Sequence, residues 1–206
     1  MMSIEWMSGV RDQKRVAALV KSGLATTGPE NAFDLVVEFV AELTGADRCC
    51  ITLVDADQFT YKSAAGIAEG SPPSGNVEAS FCRYVVGTGQ PLIVNDARHD
   101  ARVLDNPAIE TYNVAAWAGY PIEDMNGSIF GTLCLINTTP RSWSARDVLV
   151  LATMARSVST EIALRKSQDE LTEVSRKLEN LRTNDSSSFG PRLPLDVDHL
   201  GAVEGL

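Results

Sequence analysis

Four cysteines, Cys49, Cys50, Cys82 and Cys134, and two histidines, His99 and His199, are the residues of this chain that could most directly do chemistry. Cys49 and Cys50 are adjacent and the other two stand far apart, so there is no CxxC pair for a zinc knuckle or a thioredoxin-type redox couple. Two separated histidines do not make a histidine-rich metal site, and no metal is expected. Cys82 draws attention because it sits in "SFCRYVVGTGQPLIVNDARHD", Ser80–Asp100, where a short helix and a strand lead into the polar group Asn95, Asp96 and Arg98. A nucleophilic thiolate needs an accessible, electropositive setting and a base within reach. Arg83 is adjacent, yet successive helical residues do not face each other. The remaining cysteines fall in apolar runs expected to be core strands, where a thiol behaves as a small hydrophobe. Packing is therefore the favoured role of Cys82, and no resolving partner for it is evident. Asp96 and Asp100 could form an acid and base pair, but solvation explains them equally well. No GxSxG elbow, HExxH helix or phosphate-cradling glycine loop is present.

The elements that would position these residues are legible from periodicity. "VRDQKRVAALVKSG" reads as one helix from Val10 to about Gly23, with Val16, Leu19 and Val20 on its inner face. "TTGPENAFDLVVEFVAELTGA" reads as a second, with Pro29 in its first turn and Phe33, Val36, Val37, Val40 and Leu43 at helical spacing. "RCCITLVD" and "QFTYKSAAG" then suggest a hairpin. The proline and glycine of "IAEGSPPSGN" argue against regular structure and for a lid or rim. Ser80 can cap a helix to about Thr88, "PLIVND" is a strand, and "ARHDARVLDNPAIETYN" should form short helical turns. "VAAWAGYPIED" and "SIFGTLCLINTTP" form an antiparallel pair turning at Gly127. Ser144, with Asp147 three residues on, opens a long helix. Its later part has Leu164, Leu171 and Leu178 seven apart, with Ser167, Val174 and Leu181 between them, a short heptad seam suited to pairing in a homodimer. Leu164, Leu171, Val174, Leu178 and Leu181 are the expected dimerisation residues.

Composition narrows the class. With 206 residues, 44% hydrophobic and 22% charged, the chain is globular and large enough for one core. A net charge of −9 with no basic patch argues against nucleic acid. No apolar run is long enough to span a membrane and no signal peptide opens the chain, so a cytoplasmic protein without membrane partners is expected. The division expected is an N-terminal helix and linker over 1–29, a domain over 30–166, a helical extension over 167–182 and a mobile acidic tail over 183–206.

The order of elements, together with "SFC", "GQPLIVNDARHDARVLDNP", "AGYPIEDMNGSIFGTLCLIN" and "WSARDVLVLATMARSV", resembles the GAF domain family from Glu30 to about Lys166. The resemblance implies an α+β fold, GAF/PAS-like, with an antiparallel sheet of about six strands, helices on both faces and a long C-terminal helix. It places the N- and C-terminal helices on one face and a pocket under loops and short helices on the other. GAF domains are mostly sensory modules, so the implied function is a non-enzymatic signalling protein. It would bind a small molecule, dimerise, or both, and control a partner protein. No output domain is recognisable, and Phe189–Leu200 is a candidate docking segment. Phe81, Cys82, Tyr84, Tyr112 and Trp117, with Asn95, Asp96 and Arg98, are the expected pocket lining, although aromatics on a sheet are also ordinary core.

Particular GAF ligands fit less well. The asparagine, lysine, phenylalanine and acidic-pair pattern of cyclic-nucleotide binders is missing. Bilin-bearing relatives carry a helix thiol at a place similar to Cys82, commonly followed by histidine two residues later, where this chain has Tyr84. Haem would depend on His99 in a polar loop. No cofactor is expected. Two alternatives stay open: a thiol enzyme of the free methionine sulfoxide reductase type, and a dimerisation scaffold without ligand.

Overall fold

The computed structural model describes residues 5–28 and 30–186. Pro29 and the segment Phe189–Leu200, each given a role above, lie outside the described residues. The chain divides between Lys166 and Ser167 into two units.

The first unit is built on a six-stranded antiparallel sheet of β1 (Arg48–Val54), β2 (Gln58–Ala65), β3 (Ser74–Asn76), β4 (Leu92–Val94), β5 (Ala116–Glu123) and β6 (Ile129–Asn137). Its spatial order is β3-β2-β1-β6-β5-β4. β1 and β6 are therefore central, and β6 pairs with β1 and β5 through long registers that include Cys50 opposite Cys134. Strand alternation sorts their side chains onto two cores. Cys49, Ile51 and Leu53 face one layer together with Leu133 and Leu135, while Cys50 and Val54 face the other with Cys134 and Ile136.

Three helices cover the first face: α2 (Gln13–Ser22), α3 (Asn31–Thr44) and the beginning of α6 (Ala145–Ser186). Phe33, Val37 and Val40 of α3 meet Leu151, Ala155, Val158 and Ile162 of α6 in one apolar layer, at the spacing that keeps residues on one helical stripe. The capping box expected at Ser144 is present: the Ser144 amide donates to Asp147 Oδ2 at 3.0 Å and the Asp147 amide donates to Ser144 Oγ at 3.1 Å.

The opposite face carries α1 (Glu5–Val10), α4 (Cys82–Thr88) and α5 (Ala108–Thr111). Helices thus lie on both faces, as expected, but the N-terminal helices do not all share one. The single helix read from Val10 to Gly23 is broken at Arg11 and Asp12. Asp12 caps α2, its Oδ1 accepting from the Arg15 amide at 2.8 Å, and Val10 is buried in the core of the other face. Arg15 secures the crossing. Its buried guanidinium donates to the carbonyls of Val10, Val54 (2.6 Å) and Ile129 (3.3 Å), so carbonyl oxygens satisfy the donors left after burial. Val20, expected inside, is 66% exposed, and Leu43 of α3 is also exposed. Arg15 and Leu19 of α2, and Phe33, Val37, Val40 and Thr44 of α3, are the residues these helices bury.

The loop "IAEGSPPSGN" contains a regular element after all: Ser74–Asn76 pair with β2 as a short edge strand, followed by a 3-10 turn at Val77–Ala79. In the second unit the described residues continue helix α6 as far as Ser186, so residues 183–186 are helical rather than part of a tail. Residues 187–206 lie outside the described residues. Leu164, in the first unit, and Leu171, Val174, Leu178 and Leu181, in the second, are all between 52% and 67% exposed.

Candidate functional site

A cavity of about 490 Å³ lies on the α4 face of the sheet. Its floor comes from β1 and β6, which present Thr52, Cys134 and Ile136, with Trp117 added from β5. Phe59 and Tyr61 rise from β2 on the same side because residues two apart in a strand share a face. The residues Ala79–Cys82 leading into α4, and Thr111–Val114 after α5, close the ends, and the loop from Gly66 to Ser74 covers the rim. This loop therefore takes the lid position read from its composition.

The walls are aromatic. Phe81 and Trp117 pack with ring centroids 5.8 Å apart, Phe59 and Tyr61 at 5.3 Å, and Tyr112 meets Phe59 edge-on at 6.2 Å. Burial pushes the Tyr61 hydroxyl well above its ordinary pKa, so it stays protonated and can donate. One ionised side chain lines the cavity, Arg48, and no carboxylate does among the described residues. Arg48 stands at the start of β1 and its Nη1 donates to the Tyr112 carbonyl at 2.9 Å. That hydrogen bond ties the sheet to the segment after α5 and holds the charge at the cavity.

The thiols gather at the floor. Thr132 Oγ1 donates to Cys82 Sγ at 3.1 Å, and Cys82 shares one core with Cys134 and Cys50, which stand opposite each other in the register of β1 and β6. Cys82 thus has a facing cysteine, contrary to the expectation from sequence, because the antiparallel register of β1 and β6 sets Cys50 and Cys134 side by side beneath α4. The hydrogen bond with Cys134, followed by burial, pushes the Cys82 thiol well above its ordinary pKa. Burial alone takes Cys49, on the other face, up to about 12. For Cys49, Cys82 and Cys134 the shift is therefore away from the thiolate that a nucleophile requires.

Of the residues expected to line a pocket, Phe81, Cys82, Tyr112 and Trp117 come together at this cavity. Tyr84, Asn95, Asp96 and Arg98 do not. Tyr84 points under α1, 5.2 Å from the Trp6 ring, with its hydroxyl accepting from Arg83 Nη2 at 2.9 Å and from Asn106 Nδ2 at 3.3 Å. Asn95 joins the end of β4 to the approach to α6: its carbonyl accepts from the Arg141 amide at 2.9 Å and its Oδ1 from the Trp143 amide at 3.2 Å. Asp96 closes a local turn, accepting from the Arg98 amide at 3.1 Å and pairing with His99 Nδ1 at 2.8 Å, and Arg98 is exposed. The cause is topological. β4 is the far edge of the sheet from β3, whereas the loop roofing the cavity joins β2 to β3.

Sequence reasoning missed Arg48, Thr52, Phe59, Tyr61 and Cys134 as cavity residues. The signal available was alternation: Phe59 and Tyr61 are two apart, and Thr52 is the polar interruption of an otherwise apolar strand.

A sequence profile described as GAF domain matches residues 28–162. The chain is 26% identical over 180 residues to a cyclic di-GMP phosphodiesterase of Pseudomonas aeruginosa, an alignment covering 86% of this chain and 30% of that enzyme. It therefore spans under a third of that relative's length. Among solved structures, the GAF domain of a phosphoenolpyruvate-protein phosphotransferase from Acinetobacter superposes with a TM-score of 0.56 at 19% identity, covering 75% of this chain and 93% of that one. The corresponding domain from Coxiella burnetii gives a TM-score of 0.56 at 18% identity over 76% and 95%. At these identities the structures speak for the fold, and the profile, covering well over half of the chain, speaks for the family. The chain belongs to the GAF domain family.

Proposed function

We propose that this chain is a sensory or regulatory module of signal transduction that binds a small molecule in the cavity under α4 and acts as a homodimer on a partner protein. The observation that carries the reading is the cavity itself: about 490 Å³ bounded by five aromatic rings and a few polar groups, within the size and make-up of ligand pockets. Likeness to a stretch of a cyclic di-GMP phosphodiesterase supports a signalling setting, with the catalytic activity in that name belonging to the relative. The exposed leucines and valine of α6 supply an apolar strip for pairing with a second copy. Binding controls a partner only if the ligand favours one arrangement of the helices over another; affinity alone transmits nothing.

The test is a thermal-shift screen of a metabolite library on the full chain, alongside gentle native mass spectrometry of the purified protein. At least one compound should raise the melting temperature in a dose-dependent way, as a ligand specific to the native state must. Ile136→Trp, which fills the cavity, should abolish that shift while the protein still melts cooperatively. A library that leaves the melting temperature unmoved, with no co-purified adduct, would identify the cavity as unused packing space.

A further inference from the structure

Charge selects among the molecules the cavity could hold. Among the described residues Arg48 is the one ionised residue of the lining, and its half-buried guanidinium is only partly used. Nη1 is engaged by the Tyr112 carbonyl, whereas among the described residues Nε and Nη2 have no hydrogen-bond acceptor. The adjacent Asp47 points its carboxylate away to Thr138, accepting from that residue's amide and hydroxyl at 2.7 Å each. Among the described residues Arg48 thus forms no ion pair, although the Asp47 carboxylate feels its charge, and it stands beside a mainly apolar cavity. A guanidinium with a free edge is suited to a carboxylate, which it can grip through two parallel N–H bonds. The rest of the lining includes the rings of Phe59, Phe81 and Trp117, which suit a ligand with an aromatic ring.

Resting on the proposed function of this cavity, we infer that its ligand class is the planar aromatic carboxylate, with the carboxylate on Arg48 and the ring among Phe59, Phe81 and Trp117. A cationic analogue is rejected because burying its charge beside Arg48, with no carboxylate in the lining among the described residues, costs more than the ring contacts return. A neutral analogue keeps those contacts and loses the ion pair.

Isothermal titration of the full chain with three probes sharing one ring tests this: indole-3-acetate, indole-3-acetamide and tryptamine. Indole-3-acetate should bind at least tenfold more tightly than the amide, and tryptamine should give no binding heat. Arg48→Gln, which keeps a donor for Tyr112, should weaken indole-3-acetate to the level of the amide and leave the amide within threefold. The wild-type ranking stands whether or not the variant folds. Equal or tighter binding of the amide, or any measurable binding of tryptamine, overturns the anionic class. If none of the three binds while a non-aromatic library compound raises the melting temperature, the inference fails and the cavity remains a ligand site. If no compound of either kind acts, both fail.

Discussion

Residues in this protein often take their character from neighbours distant in sequence, and Glu30 shows it most sharply. It stands at the entry to α3, where Lys62 Nζ from β2 lies 2.5 Å from Oε1 and Arg165 from α6 pairs with Oε2. Burial opposes its ionisation, but hydrogen bonds from Lys62, Arg165 and Thr27 outweigh that and hold its carboxyl at about 2. Because the folded-state pKa is depressed, the stabilisation is complete above the unfolded value of 4.5 and is lost as pH falls towards 2. Urea unfolding at a series of pH values should show wild type losing its advantage over Glu30→Gln across that window. A constant difference between the two would mean that the triad does not act through charge. Cys82 makes the same point differently: its thiol packs in one core with Cys134 and Cys50, a setting created by strand register and invisible in "SFC".

At the scale of elements, the contact of α1 with α4 couples the N-terminal segment to the helix that opens at the cavity. Gly9 and Gly87 let the two backbones touch: a Cβ on Gly87 would sit within the carbonyl of Trp6, and one on Gly9 within the carbonyl of Gly87. Trp6 then lies over the Arg83 guanidinium, 4.4 Å from its ring centre, and against Tyr84. Gly87→Ala should force α1 off α4 and cost about 1–3 kcal/mol of unfolding free energy, as overpacking a close contact does. Increased Trp6 exposure by fluorescence quenching should accompany the loss. An unchanged quenching profile would show that α4, and not α1, absorbs the added methyl. Helix and strand identities were readable here because periodicity is local, whereas the break at Asp12 was obscured by a cap embedded in a continuous amphipathic pattern.

For the whole molecule, the proposed dimer makes its own demand on the long helix. Leu171→Glu together with Leu178→Glu should convert a sedimenting dimer to a monomer, while the melting transition of the first unit moves little because neither side chain contributes to its core. A dimer that survives both substitutions would locate pairing elsewhere. The family, the antiparallel α+β architecture, most of the element order and the capping box of α6 are legible in the residues alone. Such features are written in motifs, apolar periods and short-range hydrogen bonds. Which polar residues meet the cavity depends instead on how the strands are ordered in the sheet. The group Asn95, Asp96 and Arg98 is contiguous in the chain yet follows an edge strand on the far side of the sheet, while Arg48, Thr52, Phe59 and Tyr61 converge from β1 and β2. Strand order and facing are long-range properties: an antiparallel register sets residues far apart in sequence side by side, and a site assembled that way has no linear motif.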